Sequence, residues 1–185
     1  MCSTSMYPNY IYHNSTINPF TSMPQVNAIE FVLLWDQEKS QYKERIIDFW
    51  KELQALPTNV SARDRLTEVV YVALLEGKVI GVNSAFEAKV AHLSNSPFIN
   101  YRILLHPEFR IPGLVDKMGV LAIQYFNELY QSGTIQSVGV ITLIENQWYK
   151  NNRREAVWPS TGFVYIGDSP AGHHIRLKYF DGAKF

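Results

Sequence analysis

The chain has 185 residues, nearly half of them hydrophobic, which is enough to bury a core without disulfides or metal ions. Lysine plus arginine equals aspartate plus glutamate at 17 each, so no overall field draws the protein to nucleic acid or to an anionic membrane. The single cysteine, Cys2, excludes an intrachain disulfide framework, and no apolar run approaches the roughly 20 residues that span a bilayer.

Residues 1 to 26 are rich in Ser, Asn, Tyr, Pro and Thr and lack a periodic apolar pattern, so a flexible tail is expected. Tyr7, Tyr10, Tyr12 and Phe20 suit equally a docking arm laid on a neighbouring surface or on the second subunit of a homodimer. The segment also lacks the basic-then-apolar order of a secretory signal, and the expected location is cytoplasmic. Residues 27 to 185 read as one domain.

Within that domain, Ala28 to Trp35 is β-branched and apolar and predicts a strand, and Ser40 to Leu56 carries Tyr42, Ile46, Ile47, Phe49, Trp50 and Leu53 at helical spacing. Thr67 to Leu75 and Val79 to Val90 are apolar runs joined by Glu76, Gly77 and Lys78, which predicts a hairpin. Phe98 to Leu105 reads as a fourth strand. After it, Leu114, Met118, Leu121, Ala122, Tyr125, Phe126 and Leu129 mark one face of a long helix that starts at Gly113 and ends before Gly133. Val138 to Ile144 resembles a strand buried on both faces, hence central and parallel to a neighbour. A helix over Tyr149 to Trp158 should stop at Pro159, and Phe163 to Ile166 with His174 to Phe180 should close the sheet. The order is β-α-β-β-β-α-β-α-β-β.

The segment Leu105-His106-Pro107-Glu108-Phe109-Arg110-Ile111-Pro112-Gly113-Leu114-Val115 carries the chemistry. A strand ends, Pro107 stops its pairing, and a glycine opens an amphipathic helix, which leaves unpaired amides at the positive helix end. Such a turn binds phosphate; it also reads as an ordinary strand-to-helix connection with Gly113 chosen for its conformation.

This segment resembles motif A of the GCN5-related N-acetyltransferases (GNAT), a strand followed by [Gln/Arg]-x-x-Gly-x-[Gly/Ala]. Arg110 and Gly113 match, Pro107 has a counterpart in the family, and the sequence departs at Val115 and at Pro112, which has no amide to donate. A second resemblance is to the family's Asn-x-x-Ala-x-x-x-Tyr-x-x-x-Gly-Phe, with Gly162 and Phe163 matched, Asn151 at the asparagine, Arg154 at the alanine and Trp158 at the tyrosine.

The resemblance implies the GNAT acyl-CoA N-acyltransferase fold, a mixed central sheet of about seven strands flanked by helices. It also implies acetyl-CoA as cosubstrate, bound by Leu104, Leu105, Arg110, Ile111, Gly113, Leu114, Val115, Asn151 and Trp158, with the pyrophosphate on the amides from Arg110 to Val115. The implied reaction is direct attack of a small-molecule or peptide amine on the thioester. In the family the tyrosine protonates the departing thiolate, which the indole of Trp158 cannot do. Tyr149, near the start of the same segment, is a reserve donor, or else an aromatic packed on the sheet.

An amine of lysine-like pKa is neutral in only about one molecule in 2,500 at pH 7, so a base or a water chain is needed. Glu87 and Glu145 are the carboxylates best ordered for that role, and each also reads as a solvated surface glutamate. His106 reads as a cap for the loop, and no His or Cys cluster has metal-ligand spacing. Two other readings stay open: a non-catalytic module that binds CoA or a protein partner, and a scaffold joined through its aromatic arm.

Overall fold

The structure, a computed structural model, describes residues 26–37 and 40–184. The expected N-terminal tail with Cys2, Tyr7, Tyr10, Tyr12 and Phe20 thus lies outside the described residues, except for Val26.

Among the described residues seven strands form one sheet in the order β1-β2-β3-β4-β5-β7-β6. They are β1 (Glu30–Leu33), β2 (Val69–Leu75), β3 (Lys78–Val90), β4 (Ser96–Leu105), β5 (Gly139–Ile144), β6 (Val164–Asp168) and β7 (His174–Tyr179). The helices are α1 (Ser40–Glu52), α2 (Ala62–Arg65), α3 (Leu114–Gln131) and α4 (Gln147–Asn152). All neighbouring strands run antiparallel except β4 and β5, so the apolar run at 139–144 is parallel to one neighbour and antiparallel to the other. No helix among the described residues is long and apolar enough to cross a membrane.

Local chemistry explains most boundaries. Glu76 and Gly77 both take positive φ, 49° and 78°, the requirement of a tight two-residue hairpin turn between β2 and β3. α1 ends four residues before the expected Leu56, because Gln54 turns left-handed with φ 47° while the Ala55 amide reaches back to the Trp50 carbonyl at 2.9 Å. The short α2, which no apolar period announces, starts where the Ser61 hydroxyl accepts the Asp64 amide.

One expected element is shorter for a tertiary reason. The predicted helix to Trp158 stops at Asn152, and Trp158 lies in extended chain whose amide donates to the Phe163 carbonyl at 2.9 Å, beside a bridge between Val157 and Val164. The carbonyls of Arg153 and Glu155 accept from the guanidinium of Arg176 on β7, at 3.2 and 2.9 Å. That leaves them outside any helical ladder.

The core forms two layers around the sheet. On one face Ile46, Ile47, Phe49 and Trp50 of α1 pack on Val69, Val72 and Val82. On the other, Ala122 and Phe126 of α3 pack on Ile99, Tyr101 and Val140, together with Trp158 and Phe163. Tyr101 and Ile103 therefore face α3, and their strand neighbour Leu104 packs against the α1 cluster. Under α3 a buried polar knot pins β2, β3 and β4: Asn83 accepts the Tyr71 amide at 2.6 Å and donates to the Tyr101 hydroxyl and the Met118 carbonyl. Burial pushes the Tyr101 phenol's pKa well up, so it stays protonated.

Candidate functional site

β4 and β5 pair over three rungs only, Ile99 with Val140, Asn100 with Ile141 and Tyr101 with Thr142. β4 nevertheless continues to Leu105 and β5 to Ile144, so beyond the last rung the two facing edges have no strand partner among the described residues. The sheet splits there at its centre. Ile103, Ile144 and Tyr149, all partly buried, belong to the cluster beside the split.

The chain leaves β4 through a 3₁₀ turn, Pro107–Phe109, capped by the His106 ring, which accepts the Glu108 amide. Ile111 donates its amide to the Phe109 carbonyl at 2.8 Å and Leu114 donates to Ile111 at 3.1 Å. Pro112 has no amide. The amides of Arg110, Gly113, Val115 and Asp116 make no hydrogen bond among the described residues, and three of them belong to the first turn and cap of α3, where the helix is positive. Gly113 takes φ 82°, and a Cβ built there would meet nothing within 4 Å. The glycine is required for conformation, and the space beside it is open.

The amide set is smaller than the continuous run from Arg110 to Val115 expected from the sequence, since Ile111 and Leu114 spend theirs inside the loop. The Leu114 side chain is fully buried with Met118 and Ile80, and Leu105, Ile111 and Phe109 pack on the same cluster. Arg110 is exposed and Val115 half-buried. An acid also stands at this helix end: Asp116, in the first turn of α3, pairs with Arg153 at 2.6 Å.

Trp158 is 4 % exposed and carries two guanidiniums against its ring, Arg153 at 4.5 Å and Arg176 at 4.3 Å from the centroid. Its indole N–H donates to the Arg153 carbonyl at 3.3 Å. An indole so enclosed is a structural post rather than a wall open to a ligand. Asn151 accepts from Gln147 at 3.0 Å and lines, with Lys150, Arg154, Tyr165 and His174, a cleft of about 410 Å³ between α4 and the β6–β7 hairpin.

The three expected catalytic groups fall at different ends of the sheet. Glu87 pairs in register with Ile99, six residues before Leu105, about 20 Å along the strand from the loop. Its carboxylate accepts from the Ser137 hydroxyl at 2.6 Å. Because β3 is antiparallel to β4, the end of one strand lies beside the start of the other, and this geometry removes Glu87 from the split. Glu145 follows β5 directly at the mouth of the split and is exposed. Tyr149 is half-buried on α4; its phenol is held above its ordinary pKa first by burial and then by Asp116, with Arg153 and Arg110 pulling the other way. The groups that act on it flank both ends of the loop.

Sequence reasoning missed Asp116, Arg153 and Arg176. An acid in a first helical turn reads as a helix-start signal, and its partner lies 37 residues on. It also missed a cluster on the α1 face, where Glu68 accepts from Arg65 at 2.6 Å and Arg102 at 2.8 Å, with Arg102 over the Phe86 ring at 4.7 Å.

A central parallel pair that splits beside a glycine-opened helix is the architecture of the GNAT acetyltransferases. The chain has that fold: it superposes on ribosomal-protein-S5-alanine acetyltransferase from Vibrio fischeri with a TM-score of 0.59 at 13% identity, covering 89% of this chain and 100% of that one. It superposes likewise on yncA of Salmonella typhimurium, solved with its cofactor acetyl-CoA (TM-score 0.56, 16% identity, 84% and 96% covered). A GNAT-family acetyltransferase from Streptococcus pneumoniae gives 0.54 at 11% identity, covering 83% and 99%. No family model matches the sequence, and no curated protein matches it.

Proposed function

We propose that the chain transfers an acetyl group from acetyl-CoA to an amine by direct attack. The observation that carries this reading is the split between β4 and β5, which opens at its C-terminal end toward amides of the α3 N-terminus that have no partner among the described residues. Free amides at a positive helix end suit a pyrophosphate, and unpaired strand edges suit the amide-bearing arm of a pantetheine. Acetyl-CoA bound to a protein of the same fold supports the choice of donor.

In this reading the Arg110, Gly113, Val115 and Asp116 amides hold the donor's phosphates. The amine nitrogen forms a bond to the thioester carbon as the carbon–sulfur bond breaks. Tyr149, whose raised pKa keeps it a phenol at neutral pH, gives its proton to the leaving sulfur. Glu145, exposed at the mouth, takes the amine proton directly or through water. Calorimetric titration with acetyl-CoA, followed by thiol release with a panel of amines and peptides, tests the reading; absence of heat at millimolar acetyl-CoA would refute it.

The second reading is a non-catalytic module that binds CoA or a protein partner. Asp116 at the phosphate end and Trp158 at the position of the family's phenol favour it. Binding of acetyl-CoA with no thiol release across the panel would select it.

A further inference from the structure

We propose that His106 is the residue that positions the donor loop, and that it does so only as a neutral imidazole; the proposal rests on reading this loop as the acetyl-CoA site. His106 is 6 % exposed and is held on both ring nitrogens. Nδ1 accepts the Glu108 amide at 3.3 Å and so caps the 3₁₀ turn, while Nε2 lies 3.3 Å from Glu52 Oε1 on α1. One tautomer satisfies both contacts, with the proton on Nε2 and the lone pair on Nδ1. The Phe109 ring stands edge-on to the imidazole at 5.4 Å.

Protonation places an N–H on Nδ1 facing the Glu108 N–H, two donors where a hydrogen bond stood. The charged group against the ring is Glu52 of α1, while the neighbouring elements carry Glu108, in the same turn, and Lys78 of β3, which sits over the Phe109 ring at 5.4 Å. The Glu52 carboxylate accepts from Nε2–H in either charge state, so it holds the ring in place without restoring the cap. The loss therefore falls on the turn, which runs through the Phe109-to-His106 and Ile111-to-Phe109 bonds straight into Arg110 and Gly113. A ring proton on Nδ1 would therefore loosen the amide set that faces the donor.

Acetyl-CoA dissociation constants at about pH 8 and about pH 5.5 in the wild type, His106→Asn and His106→Ala test this. Asparagine keeps the cap with a side-chain oxygen that does not titrate. The expected result is a wild type that loses roughly three- to tenfold more affinity on acidification than His106→Asn, the value of one cap, and a His106→Ala protein that binds weakly at both pH values. The donor's own phosphates titrate in every arm and cancel in the comparison.

A second measurement needs no donor. In an NMR titration the Glu108 amide shift should follow the His106 ring in the wild type and stay still in His106→Asn. Parallel affinity profiles, or a Glu108 amide indifferent to the ring, would overturn the proposal. A wild type that binds no acetyl-CoA near pH 8 would instead count against the donor-site reading, and the NMR arm would still decide whether His106 controls the turn.

Discussion

Tyr149 and Trp158 are neighbouring rings, their centroids 6.3 Å apart, with opposite environments and therefore opposite expected roles. The Tyr149 hydroxyl has no hydrogen-bond partner among the described residues and sits half-buried within reach of the charges of Asp116, Arg153 and Arg110. Tyr149→Phe should lower kcat by about a hundredfold while leaving acetyl-CoA affinity within about twofold, as removal of one general acid does. The raised pKa fixes the sign of the pH dependence: the acid form is lost as pH rises, and only above the ordinary value near 10, so wild-type kcat should not fall on the alkaline side below about pH 10. Equal kcat in the two proteins would remove Tyr149 from the chemistry. Trp158 stands at the family's tyrosine position, and by sequence alone a tyrosine there should preserve or raise turnover. Its burial against two guanidiniums reverses that expectation, because the smaller ring forfeits area, stacking and the bond to Arg153. Trp158→Tyr should cost about 2 kcal/mol in urea unfolding with no gain in turnover. An unchanged midpoint with faster thiol release would restore the first view.

At the level of elements, the loop and the first turn of α3 act as one unit. Gly113→Ala should cost about 1 kcal/mol of stability, since the left-handed backbone penalises any Cβ although the space around it is open. Gly113→Asp adds a like charge beside the phosphates, and the difference in acetyl-CoA affinity between the two variants isolates that charge. If both bind acetyl-CoA equally, the phosphates lie elsewhere. Asp116 makes the complementary test within the same turn. Asp116→Asn removes an anion from the positive helix end, and at a separation of about 4 Å in water that relief is about 1 kcal/mol, or about fivefold tighter binding. The same change loses the pair with Arg153, whose partners are both largely buried, and should lower the melting temperature by several degrees. Affinity that stays level or weakens would mean the donor's phosphates do not meet this helix end.

For the molecule as a whole, the sheet is two blocks joined through β4 and β5: β1 to β4 on one side, and β5, β7 and β6 on the other. Gly139, the first residue of β5, is in register with Tyr179, and a Cβ there would lie 2.5 Å from the Lys178 carbonyl oxygen and 2.9 Å from the Tyr179 Cα. Backbone atoms cannot rotate aside as a side chain can, so Gly139→Ala should cost about 2 to 3 kcal/mol in denaturant unfolding. A variant that unfolds like the wild type would show the β5–β7 register to be wrong.

Apart from the short α2, the order of strands and helices was legible in the sequence because it depends on local period and punctuation. The α3 stripe through Met118, Ala122 and Phe126, the turn at Glu76 and Gly77, and the parallel run at β5 each leave their pattern within a few consecutive residues. The glycine that opens α3 was legible for the same reason. What stood beside that glycine was not. Asp116 meets Arg153 across 37 residues, the Trp158 ring is covered by Arg153 and Arg176, and Glu87 lies toward the far end of the sheet because β3 returns antiparallel to β4. Periodicity decides which face of an element turns inward, whereas an ion pair, a stacked ring or a base beside a substrate requires two distant segments at a few ångströms, and only the path of the whole chain sets that distance.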